Sequence, residues 1–142
     1  MPFETFEHTA DIGLRIKARD LNGLFKDAAE GFYSLVTDLD AFKSSKPDRI
    51  LEAEMSFQEE NAAELFMHWL QELLFYFSAR KLVLLEYHFT SLTPMMLKLK
   101  AKAVRFDPKT HSSRHEVKAV THHRFRVTQG KSGWEAEVIF DI

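Results

Sequence analysis

Beyond residue 81 the apolar residues of this chain no longer recur with a helical period. LVLLEYHFTSL, MMLKLKAKAVRF, HEVKAVTHHRFRV and WEAEVIFDI follow in succession, and each alternates or runs as a strand does. TQGKSG between the last two predicts a hairpin. A block of consecutive strands in the last 60 or so residues breaks strict β-α-β alternation, which argues against a doubly wound nucleotide-binding sheet and for α+β.

The first half supplies the helices. Asp20 can cap a segment in which Leu21, Leu24, Phe25, Ala28, Phe32, Leu35 and Val36 share one stripe. Asn61 opens a second, with Leu65, Phe66, Trp69, Leu70, Leu73, Leu74 and Phe77 on its apolar side and Arg80-Lys81 at its end. FEHTADIGLRIKA reads as one opening strand with Asp11 on its polar side and Gly13 as a site for a bulge. RILEAEMSFQ reads as another strand, and Asp38 to Pro47 as a loop. The expectation is one compact domain over residues 1–142, with two helices on a mixed or antiparallel sheet.

Several chemistries are excluded. With no cysteine among 142 residues there is no disulfide, thiolate metal site or Cys nucleophile, which leans towards a reducing compartment. No apolar run reaches membrane-spanning length and the first residues lack the pattern of a signal peptide, so a cytoplasmic location is expected, with no membrane partner. GxGxxG, GxxxxGK[ST], HExxH and GxSxG are all missing, and the five glycines are scattered. The chain is therefore read as a non-enzyme.

Charge is unevenly spread. Residues 98–131 hold ten Lys or Arg against Asp107 and Glu116, a net of +8 that leaves −10 for the rest of a chain totalling −2. Lys98, Lys100 and Lys102 form one alternating row; Lys118, His122, Arg124 and Arg126 form another. On neighbouring strands these rows would make a basic face for RNA. Asp107, His111 and His115 have helical spacing, but Pro108 and Ser112-Ser113 put them in a loop, where three ligands would not align. His68 is read as part of a solvated helix face between Glu64 and Glu72.

The sequence stops at Ile142 on a hydrophobic strand, with Asp141 next to the terminal carboxylate. Two anionic groups so placed would repel; either they stay in water as a frayed, solvated terminus, or a hard divalent cation relieves the repulsion, with Asp11 as a candidate third oxygen ligand.

EHTADIG near the start, HEVKAVTHHRFRV, and the final FDI together resemble the archease family, and the likeness runs the length of the chain. That resemblance implies a compact α+β domain and a small cytosolic, chaperone-like cofactor of the GTP-dependent RNA ligase of tRNA splicing and RNA repair. It implies that the protein promotes the ligase's guanylylation and repeated turnover, meeting RNA indirectly through the ligase. It also implies a divalent cation, usually calcium with Mg²⁺ or Mn²⁺ as alternatives, held by Asp11, Asp141 and Ile142. Lys118 and His123 match the family's VKAVTYH segment and become candidate partner contacts; His122 and Arg124 depart from it. The alternative is an RNA-binding module built on the Lys98–Lys131 face.

Overall fold

A computed structural model describes residues 2–8 and 10–142; the side chains of Glu7 and His8 lie outside the described residues, as does Thr9. The order of elements is β1 (Phe3–His8), β2 (Asp11–Ala18), α1 (Leu21–Val36), α2 (Leu39–Ser44), β3 (Leu51–Gln58), α3 (Ala62–Ser78), β4 (Leu82–Thr93), β5 (Met96–Arg105), β6 (Ala119–Gly130) and β7 (Gly133–Asp141). The strands form two antiparallel sheets, β1-β2-β7-β6 and β3-β5-β4. The α+β class holds, with seven strands in two sheets and a third, short helix.

The long helices begin where the caps predict. Asp20 Oδ1 accepts from the Gly23 amide at 2.8 Å and Asn61 Oδ1 from the Glu64 amide at 2.9 Å, each satisfying an amide left unpaired by the first turn. Helix α2 is capped by Asp38 and buries only Leu39 and Phe42. Two apolar residues in a single turn and a half give too little periodicity to distinguish it from a polar loop.

Helices α1 and α3 pack together and against both sheets, α1 on β2 and β4, α3 on β6 and β4. The core joins Ile12, Leu14 and Ile16 of β2 and Ala136, Val138 and Phe140 of β7 to Phe25 and Phe32 of α1 and Phe66 and Trp69 of α3. Trp69 is fully buried, and its indole N–H donates to the Phe25 carbonyl at 2.9 Å, so a polar tip inside the core is satisfied while its ring fills the helix–helix seam.

The opening strand differs from expectation. The chain reverses between His8 and Asp11, and β1 lies antiparallel on β2 with Phe6 opposite Gly13. Gly13 makes no bulge: it stays in register with both Phe6 and Ile139. Its missing side chain leaves room for the Phe6 ring, which occupies the space a Cβ would need. The reversal is invisible to periodicity because the alternation continues in phase on either side of it.

The last two strands meet in the expected hairpin, with Gly130 opposite Gly133. Gly133 has φ +132°, and a Cβ there would run into the Ala18 carbonyl, so any side chain would be strained.

Candidate metal and partner site

Strand β7 is central in its sheet, and its last residues bring three predicted site residues together. Asp141 pairs directly with Asp11 of β2 on one side and with Ala119 of β6 on the other. The Ile142 amide donates to the Ala10 carbonyl at 3.3 Å, and the Lys118 amide donates to the Asp141 carbonyl at 2.8 Å. Residues directly opposite in an antiparallel ladder project to the same side, so the Asp11 and Asp141 carboxylates share a face. That face is the one turned away from the helices, because Ile12 and Phe140, one step along, point into the core.

Like charges directly opposite destabilise a strand pair, and Asp11 compounds the cost. Its Oδ1 is buried and has no hydrogen-bond partner among the described residues. A buried carboxylate oxygen without a donor is a liability that a bound cation would remove. Among the described residues no three His, Asp or Glu side chains gather as a metal cluster; the pair here is two Asp, with the oxygens of Ile142 adjoining. The donor set, all oxygen, fits a hard divalent ion such as Ca²⁺.

Lys118 is exposed and stands beside this pair through its main-chain bond to Asp141. His123 is also exposed but lies further on, in an irregular segment. The β6–β7 ladder runs regularly to Thr121 opposite Ile139 and resumes at Arg126 opposite Glu137. Five steps on β6 thus match two on β7, and three residues are looped out. This corrects the predicted faces of β6: Thr121 and Arg126 project to the same side, so Lys118, His122, Arg124 and Arg126 are not one row.

Within the bulge Arg124 takes φ 55°, a left-handed conformation uncommon for a long side chain. Its Nε approaches Glu137 Oε2 at 3.7 Å, while the Arg15 Nη2 sits 2.9 Å from Glu137 Oε1. Glu137 is 4% exposed, a burial that alternation alone did not suggest. Arg15 also reaches Glu4 at 2.8 Å and lies over the Phe6 ring. Hydrogen bonding to Glu137 raises the Arg15 pKa, and hydrogen bonds from Lys17 and Arg126 hold the Glu135 carboxyl below its usual range.

The basic face does not form. Lys98, Lys100 and Lys102 lie on β5 of the three-stranded sheet, whereas Arg124 and Arg126 lie on β6 of the other. Within its own sheet the lysine row is flanked by acids: Lys102 stands between Glu52 and Glu86, and Lys100 opposite Glu54. Lys102–Glu86 and Lys100–Glu54 approach at 3.6 and 3.9 Å. Interleaved charge of this kind presents little net attraction to a phosphate backbone.

Two further histidines have local partners. His68 Nδ1 is 2.7 Å from Glu59 and Nε2 3.4 Å from Glu72, with its ring stacked on Phe57; Glu59 takes the place expected for Glu64. His111 accepts the Asp107 amide at 2.8 Å through Nδ1, closing a turn, as the loop reading anticipates. Asp38 caps α2 and approaches Arg114 at 3.8 Å.

Comparison with known proteins bears on the whole chain. Residues 3–142 match the model of the archease protein family. Protein archease of Methanopyrus kandleri is 30% identical over 100% of both chains. Protein archease of Sulfurisphaera tokodaii is 31% identical over 99% of this chain and 98% of its own. The solution structure of Methanobacterium thermoautotrophicum protein 1598 superposes with a TM-score of 0.70, at 28% identity and 99% coverage of each chain. With the family pattern matched from the first strand to the last, this chain belongs to the archease family.

Proposed function

We propose that this protein is a cytoplasmic, non-enzymatic accessory protein that binds a divalent cation and activates the GTP-dependent RNA ligase of tRNA splicing and RNA repair. In this reading it promotes guanylylation of the ligase and lets it turn over repeatedly. Membership of the archease family supports the class, and one structural observation supports the metal: Asp11, with an orphaned buried oxygen, stands opposite Asp141.

Asp11, Asp141 and the oxygens of Ile142 would hold the ion, most naturally Ca²⁺, with Mg²⁺ or Mn²⁺ as alternatives. When bound, such an ion supplies positive charge of the kind that phosphoryl transfer uses. The chain's own contribution is positional. The central strand β7 fixes Asp141 between β2 and β6, and Lys118 is held beside it by a main-chain bond. Lys118 and His123, both exposed, would meet the ligase. RNA is engaged by the ligase, since the lysine row of β5 is matched by glutamates. No helix among the described residues is long and apolar enough to cross a membrane.

The test is multiple-turnover ligation with partner ligase, GTP and broken RNA. Wild-type chain should raise the turnover number, and the Asp11→Ala/Asp141→Ala variant should not. Undiminished activation by that variant, shown to be folded, would overturn the role of the pair.

A further inference from the structure

The structure also holds a cleft away from the aspartate pair. Its volume is about 470 Å³, and it lies between the segment joining α2 to β3 and the turn that follows β5. Lys46, Arg49 and Arg105 line it, together with Thr110 and His111. None of the three cations has an ion-pair partner among the described residues, whereas Arg15, Lys17, Lys43, Lys100, Lys102, Arg114, Arg124 and Arg126 each stand within reach of a carboxylate. Two acids share the rim, Asp48 and Asp107; Asp107 Oδ1 is already engaged by the Lys109 amide at 2.9 Å.

His111 adds a donor whose orientation is fixed. The Asp107 amide donates to its Nδ1, so that nitrogen carries a lone pair and the proton of the neutral ring resides on Nε2. The ring is held against Phe42 and Phe106, with centroids 4.2 and 5.7 Å away. The surrounding loop is itself pinned to the end of α1. Buried Thr37 donates to the Ser112 carbonyl at 2.6 Å, and the Arg114 and His115 amides donate to the carbonyls of Val36 and Leu35. A cleft with three uncommitted cations, a hydroxyl and one preset N–H donor is matched to a compact oxyanion with several acceptor oxygens.

We propose that this cleft binds a phosphate group, with Arg49 and Arg105 as its principal partners and His111 Nε2 as a third. Free phosphate, a nucleotide and an RNA strand all offer that chemistry, and the experiment separates them. The full-length protein is titrated at constant ionic strength with inorganic phosphate, with GMP and with a short single-stranded oligoribonucleotide. Binding is followed by the ¹⁵N resonances of His111 Nε2 and of the Arg49 and Arg105 Nε. At least one compound should move all three resonances, and Arg49→Gln/Arg105→Gln should weaken its binding about tenfold. Lys98→Gln/Lys100→Gln, on the outer face of β5, should bind as wild type does. The tightest of the three compounds identifies the source of the phosphate. The proposal fails if none of them moves His111, or if both variants lose affinity equally. Arg49 and Arg105 are exposed and have no ion-pair partner among the described residues, so their replacement should leave the fold intact; Arg49→Gln alone provides a second, milder variant that should weaken binding in the same direction.

Discussion

Asp11 and Asp141 face each other across the β2–β7 ladder, and the Oδ1 of Asp11 is buried without a hydrogen-bond donor among the described residues. In the metal-free protein this pair is a source of repulsion. Asp11→Asn should therefore raise metal-free stability by about 0.5–1 kcal/mol, the usual size of a like-charge cross-strand term. The same change should abolish stabilisation by Ca²⁺, which for wild type reaches about 2.7 kcal/mol at a hundredfold excess over Kd. Thermal unfolding of both proteins with chelator and with Ca²⁺ checks both halves. A calorimetric titration of the chain with two glycines added after Ile142 then tests the oxygens of Ile142: weakened binding assigns them to the ion, and unchanged binding removes Ile142 from the set.

Glu137 and its two arginines should respond unequally to mutation. Glu137→Ala leaves Arg15 without its strongest partner inside a half-buried network and should cost about 3 kcal/mol in chemical denaturation, the lower end of the range for breaking a buried pair. Arg124→Gly should cost under about 1 kcal/mol, because relief of a left-handed φ, worth about 1 kcal/mol, offsets the lost 3.7 Å ion pair. If Arg124→Gly proved the more damaging, Arg124 would be holding more than Glu137.

Gly13 is required by a ring, and its role can be tested by exchange. Gly13→Ala drives a methyl group into Phe6 and should destabilise by about 1–3 kcal/mol, as overpacking does. Gly13→Ala combined with Phe6→Ala should be less destabilised than the two single changes summed, since the clash exists only when both groups are present.

Acid should act in part through Glu135. Lys17 and Arg126 lower its folded pKa below the ordinary 4.5, so its contribution is present above that value and is lost as pH falls through the folded pKa. Melting curves of wild type and Glu135→Gln should differ most near neutrality and converge as pH drops from about 5 towards 3. A gap that stayed constant over that range would assign the role of Glu135 to packing.

The helices and the late strands were legible because each buries one continuous face. Phe25, Phe32, Phe66 and Trp69 recur at helical spacing and do form the core, and a cap residue stands before each long helix. Pairing between strands was less legible. Whether Lys102 neighbours Arg124 or Glu86 depends on which sheet β5 joins, and side-chain alternation carries no information about that. The bulge after Thr121 was hidden for a related reason: VTHHRFRV alternates plausibly whether or not three of its residues leave the ladder. Of the site, Asp11 opposite Asp141 could be suspected from two anions seeking a cation. The burial of Glu137 had no signal in the sequence beyond its company of arginines on other strands.

The looped-out residues of β6 work as an expansion joint. The ladder is in register before Thr121 and again from Arg126, so residues can be exchanged, added or lost between those points without sliding Asp141 relative to Asp11. The end of the sheet that carries the two aspartates and the protruding segment that carries His122, His123 and Arg124 are therefore free to diverge at different rates. One can keep its geometry while the other changes.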